Sequence, residues 1–133
     1  MTESAMPVVG ATATISCQVS SADIAQTLGT GDVPVLASSR LLTWAEDATC
    51  AAIDADLDKS QTSVGTKLQL DHKQASPLNA TVSVRVDLIR VDGRLLEFEI
   101  RAEHNDGQVV GRGKVTRMVV DRQRFLERVA PAG

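Results

Sequence analysis

The spacing of apolar and polar positions changes along the chain, and each change predicts a new element. Ala11 to Val19 (ATATISCQV) carries Thr, Ile and Val and predicts a strand after a loose start over residues 1–10. Ser20 to Asp32 allows one short helical turn before the flexible Gly29-Thr30-Gly31-Asp32, and Pro34 follows. From about Ser39 to Ala55 the period is helical. Ser38 and Ser39 are good N-cap residues, and Asp54, Asp56 and Asp58 mark a polar exit. Leu41, Leu42, Ala45, Ala48, Thr49, Ala52 and Ile53 share one broad face of that helix. Its small residues would let a sheet approach closely.

From Thr62 the period drops to two. Thr62, Val64, Thr66, Leu68, Leu70 and His72 alternate with Ser63, Gly65, Lys67, Gln69, Asp71 and Lys73, until Ser76-Pro77-Leu78-Asn79 breaks the run. Strands then follow over Thr81–Val91 and Arg94–His104, joined at Asp92-Gly93, and over Gln108–Val120 after Asn105-Asp106-Gly107. Asp121 to Val129 would close the chain with a short helix that buries Phe125 and Leu126. The expected order is strand, loop, long helix, then four strands in an antiparallel meander. Short hairpins exclude a parallel doubly wound sheet, whose crossovers need about a dozen residues. A meander with one apolar face on one Ala-rich helix is an α+β two-layer fold. Its open sheet edge is the kind that a second copy covers.

At 133 residues the chain accommodates one domain, and 43% hydrophobic with 23% charged residues excludes disordered and fibrous classes. The net charge of −3 argues against a general nucleic-acid or anionic-membrane binder. Trp44, Phe98 and Phe125 are the whole aromatic complement, too few for a base-stacking platform. No apolar run approaches the roughly 20 residues that span a bilayer. The N-terminus lacks the basic and apolar regions of a secretory signal. Cys17 and Cys50 fit neither a metal motif nor a disulfide framework, and read as two free buried thiols in the reducing cytoplasm.

No phosphate loop, nucleophile elbow or H-E-x-x-H pattern is present. Gly111-Arg112-Gly113 is too short for a nucleotide loop, and glycines within a strand mark a bulge or bend. Three polar residues stand out by position. Glu46 lies at the border of the helix's apolar face, where burial would raise a carboxyl pKa toward that of a useful base. Phase alone also allows it to swing into solvent, as Asp47 does from the polar face. His72 is in register with Val64, Leu68 and Leu70, which turns it toward the core either as a structural histidine or as a working one. His104 sits beside a turn and is expected to be exposed. Ser38 precedes the helix, either as a cap or as a hydroxyl beside free N–H groups that stabilise a developing oxyanion.

Pro34-Val35-Leu36-Ala37-Ser38, the helix bearing Glu46, Thr62-Ser63-Val64-Gly65-Thr66 and Asp71-His72 together resemble the fluoroacetyl-CoA thioesterase group of the hotdog superfamily. Val91-Asp92-Gly93-Arg94-Leu95 and Gly111-Arg112-Gly113 match that group's later strands, so the resemblance runs from about Ala11 to Val129. It implies a hotdog fold, with the sheet wrapped around one long helix, and an acyl-CoA thioesterase that is a homodimer or larger. The catalytic hydroxyl, glutamate and histidine fall on Ser38, Glu46 and His72. Ser38 stands where a threonine is expected, which keeps the hydroxyl and loses a methyl that would fix its rotamer. Gly65 matches a glycine near the thioester, permitting close backbone approach. Thr66 and Arg117 join Gly65 as candidate substrate contacts, and Lys67, Arg112 and Arg117 are cations that could meet CoA phosphates.

The resemblance further implies a thioester held between two protomers, with coenzyme A as part of the substrate and no metal or resident cofactor. One departure bears on specificity. The fluoroacetate-specific enzyme has phenylalanines in the loop before the helix, whereas Leu28-Gly29-Thr30-Gly31-Asp32-Val33 has no aromatic residue. A small or medium acyl-CoA other than fluoroacetyl-CoA is the expected substrate. An acyl-CoA binding module, or a hydratase or dehydratase on the same scaffold, is the alternative.

Overall fold

A computed structural model describes residues 6–131. Along it run β1 (Thr12–Gln18), α1 (Ala25–Leu28), α2 (Ser38–Ile53), β2 (Gln61–His72), β3 (Thr81–Asp92), β4 (Leu95–His104), β5 (Val109–Asp121) and α3 (Arg122–Arg128). The strands form one antiparallel sheet in the order β1-β3-β4-β5-β2. Part of the expected loose start, residues 1–5, lies outside the described residues. Pro7 is buried, and the Gly10 N–H donates to the Leu88 carbonyl at 2.9 Å.

The meander is shorter than the strand spacing predicts. β3, β4 and β5 follow one another through tight turns, but β2 pairs with β5 and β1 pairs with β3. Residues 73–80 are too many for a tight hairpin, and they carry the chain from one edge of the meander to the other. Both flanking strands, β1 and β2, are therefore edges.

α2 forms for the reasons its pattern suggests and packs on β1, β2, β3 and β5. Its buried residues are Leu41, Trp44, Ala45, Ala48, Thr49 and Ile53. Trp44 joins this face one turn before Ala48, while Leu42 and Ala52 stay half-buried at its borders. Across from it, Val82, Val84, Val86, Leu88, Leu96 and Phe98 close the core. Burial of a side chain such as Phe98 contributes about 1.5–3 kcal/mol. At the far end α3 leans on β5, capped by the Asp121 carboxylate, which accepts from the Arg124 N–H. It does not bury what its sequence predicts: Phe125 is half-buried and Leu126 is 58% exposed. So short a helix at the sheet's end has no second layer of the described chain to close over it.

The phase of β2 also differs from simple alternation. Gly65 pairs with Arg117 and Lys67 with Thr116, so Thr66 is an extra, bulged residue. Ser63 and Gly65 lie opposite Val119 and Arg117, two buried residues, whereas beyond the bulge Leu68, Leu70 and His72 lie opposite Val115, Gly113 and Gly111. Val64 and Thr66 therefore do not share the inner face with His72. The Gly111 and Gly113 positions are regular in the β2 ladder. A Cβ on Gly111 would lie 2.9 Å from the Asp71 carbonyl oxygen, so these glycines let β2 come close, and the bulge in β5 falls beside them at Val110.

Because Ala48 is fully buried beneath the sheet, Ala48→Leu should overpack the interface and destabilise the fold by about 1–3 kcal/mol. Urea unfolding should show a lower midpoint with an unchanged slope. An unchanged midpoint would mean that the helix does not sit as tightly as described.

Candidate active site

Ala37, rather than either serine, occupies the N-cap position of α2, and no side chain caps the helix. Ser38 is the first helical residue, and its hydroxyl is engaged elsewhere: Oγ lies 2.7 Å from His72 Nδ1 across the gap to β2. The pair borders a cleft of about 310 Å³ lined by residues that include Thr30, Leu36, Ser39 and Gln74. His72 Nε2 is buried and has no hydrogen-bond partner among the described residues. Burial pushes the His72 pKa below its ordinary value, and a backbone contact with Gln74 opposes this only in part. The imidazole is neutral at pH 7 and so can accept a proton from a hydroxyl or from water.

Glu46 lies two turns farther along α2, and eight residues of helix separate it from Ser38 by about 12 Å. It is neither deep in the core nor free in solvent. Its Oε2 accepts from Arg117 Nη1 at 3.2 Å, with the glutamate side chain 35% and the arginine side chain 7% exposed. Arg117 is in turn fixed by Ser63, donating from Nε to the hydroxyl at 2.8 Å and from Nη2 to the carbonyl at 3.0 Å. Gly65 is the floor of this arrangement: a Cβ there would sit 2.5 Å from Glu46 Oε2 and 3.5 Å from Arg117 Nη1. The bulge at Thr66 turns Ser63 and Gly65 inward. Simple alternation turns both outward, which is why sequence reasoning passed over Ser63.

The chain therefore brings Ser38 to His72, and Glu46 to Gly65 and Arg117, as two half-sites along one helix. Arg117 is buried on the glutamate instead of lying on the surface with Lys67 and Arg112, which are exposed. Thr66 is exposed, and its hydroxyl donates to the Thr116 carbonyl at 3.3 Å. Asp47 is exposed, as its phase predicts. His104 is half-buried rather than exposed, with Nε2 2.7 Å from the Ser76 hydroxyl. Cys17 and Cys50 are free and half-buried, and burial raises both thiol pKa values, so both remain protonated at neutral pH. No helix of the described chain is long and apolar enough to cross a membrane.

An NMR titration of His72 should show a midpoint below 6.5, the ordinary value for histidine. The depressed pKa means that the unfolded chain binds the proton first. This group's contribution to stability is complete above about pH 6.5 and is lost as pH falls through the folded-state midpoint. A midpoint at or above the ordinary value would contradict the burial of the ring.

Residues 19–123 match the family model of the fluoroacetyl-CoA-specific thioesterases. The fluoroacetyl-CoA thioesterase of Streptantibioticus cattleyicolor is 30% identical over 102 residues, which are 74% of this chain and 73% of that one. A mutant fluoroacetyl-CoA thioesterase solved in complex with acetyl-CoA superposes with a TM-score of 0.85 at 26% identity, over 92% of this chain and 96% of that chain. A hot-dog-like protein from Thermanaerovibrio acidaminovorans, 21% identical, shares the fold with a TM-score of 0.81 over 93% of this chain and 94% of its own. The α+β two-layer architecture expected from the pattern is thus the hotdog fold that the resemblance implied, and the chain belongs to the fluoroacetyl-CoA-specific thioesterase family.

Proposed function

We propose that this chain, a thioesterase by family, hydrolyses a small or medium acyl-CoA at a site completed by a second copy of itself. The observation that carries the reading is the Ser38–His72 hydrogen bond at the uncapped end of α2. A thioester carbonyl laid there faces the first-turn N–H groups of Ser38 and Ser39, which favour the negative charge that develops on its oxygen. Among the described residues, none that lines the cleft there carries a carboxylate. The β2 edge can supply one. Leu68, 39% exposed, lies on β2 between Gly65 and His72. Two copies of β2 pairing antiparallel about the neighbouring Gln69, with Thr66 bulged out of the ladder, would bring Gly65, and the Glu46 carboxylate above it, opposite His72 of the second copy.

In that arrangement Glu46, held by Arg117, takes a proton from water as the water attacks the carbonyl carbon. Ser38 and neutral His72 orient the acyl group. The tetrahedral intermediate expels the CoA sulfur, which recovers the proton, leaving the free acid and CoA. Direct attack by the carboxylate through an anhydride yields the same products. The reaction needs water and the chain's own side chains, without a metal or resident cofactor. The two free protonated thiols suit a cytoplasmic setting.

Glu46→Gln should lower kcat by about 10²–10⁴ in an assay of thiol release, the cost of losing a positioned general base. Asp47→Asn, next to it on the exposed face, should change little. Mixed dimers test the shared site. Glu46→Gln and His72→Ala protomers, each inactive alone, should on random 1:1 reassortment recover about a quarter of wild-type activity. No recovery, or a wild-type protein fully active as a 14.1 kDa monomer, would sink the two-copy site.

Beside Ser38 and His72 the cleft is lined by residues that include Thr30, Leu36 and Gln74, with no Phe, Tyr or Trp among the described ones. Fluoroacetyl-CoA and acetyl-CoA should therefore be hydrolysed with similar kcat/KM. A preference of several orders of magnitude for the fluorinated substrate would require another gate.

A further inference from the structure

β2 does not end freely at His72. Residues 73–77 form a strap that holds the imidazole against Ser38, and the strap is fastened at three places. The Lys73 and Gln74 N–H groups both donate to the Val110 carbonyl, at 2.8 Å and 3.1 Å. That carbonyl belongs to the bulged residue of β5. The Leu36 N–H donates to the Ser76 carbonyl at 2.9 Å, and Val35 bridges Pro77. Leu36 stands two residues before Ser38, so this fastening joins the strap behind His72 to the segment that leads into Ser38. The third is the Ser76 hydroxyl, which lies 2.7 Å from His104 Nε2. Ser76 is fully buried, and the mechanism has no use for it or for His104.

A buried hydroxyl whose partner is removed favours any rearrangement that rehydrates it. Residues 73–77 belong to no strand or helix, so the strap is where such a rearrangement would occur. We propose that His104 is a positioning residue for the reaction: through Ser76 it holds the strap, and the strap sets the hydrogen bond between Ser38 and His72. His104 makes no hydrogen bond to either of those two residues. It acts from the end of β4. This inference rests on the hydrolytic reading of Ser38 and His72, and its test keeps the two separable.

The variants are His104→Ala, His104→Gln and Ser76→Ala in the intact protein. The readouts are the ¹⁵N shifts of the His72 ring, kcat and KM for the best acyl-CoA, and thermal unfolding. His104→Ala should shift the His72 Nδ1 signal and lower kcat about tenfold to a hundredfold, the scale expected for a small misplacement of a reacting group. KM should stay within about twofold. The Gln amide reaches about where Nε2 lies and should restore most of kcat. Ser76→Ala should reproduce the His104→Ala effect, and the double variant should be no worse than either alone, because both break one link. If His104→Ala proves too unstable to assay, His104→Gln and Ser76→Ala carry the comparison. An unchanged His72 signal in these variants overturns the proposal, whatever happens to turnover. Additive losses in the double variant overturn it as well. A shifted His72 signal with unchanged kcat would uphold the strap link and instead count against His72 as a participant in hydrolysis.

Discussion

The short distance between α2 and the sheet is the constraint on which the other features of the site depend. Ala45 and Ala48 place nothing beyond a Cβ between helix and strands, and both are fully buried. The strands answer with glycine. A Cβ on Gly111 would already be 3.4 Å from Leu41 Cδ2, and one on Gly65 would take the space of the Glu46 carboxylate. A larger residue on either surface would lift the helix, and protein interiors transmit such strain because they are close-packed. At that separation a side chain as short as serine can reach from the first turn of α2 to a histidine on β2. At a larger one it could not.

The same closeness explains how an arginine comes to lie beneath a helix glutamate. Burying a guanidinium costs several kcal/mol unless its donors are satisfied. Arg117 meets that demand with Glu46, the Ser63 hydroxyl and the Ser63 carbonyl. Glu46 is more open than its partner, so solvent screens the pair on one side only. The pair's value lies in aim rather than in stability: it fixes one carboxylate oxygen, and the side chain remains 35% exposed. Oriented carboxylate, neutral imidazole and uncapped helix end are the elements that acyl transfer requires, and α2 carries or touches all three.

Much of this was legible in the sequence, and the parts that were not have physical causes. The α2 stripe, the tight turns at Asp92-Gly93 and Asn105-Asp106-Gly107, and the inward turn of His72 follow from periodicity and turn chemistry. The partner of Ser38 did not, because a serine before a helix reads as a cap, and only tertiary structure shows the imidazole nearby. Sheet order was likewise hidden: hairpin signals are local, whereas the pairing of β2 with β5 is set by where residues 73–80 can travel. Arg117 alternates inward with Val115 and Val119 along β5, a signal that its charge obscured. Helix α3 reads as amphipathic but lies where nothing in the described chain covers it.

One residue of β2 carries its information in an unusual form. Gly65 and His72 are an odd number of positions apart, so an unbroken strand would point them to opposite faces. The extra residue at Thr66 restores their common face. Its own side chain contributes little, since the hydroxyl merely reaches a neighbouring carbonyl. What matters there is that a residue exists, more than which residue it is. In this chain the position should therefore tolerate substitution but neither insertion nor deletion. Loss of one residue here would turn Gly65 and His72 to opposite faces of the sheet and part the Glu46 pocket from the Ser38 one.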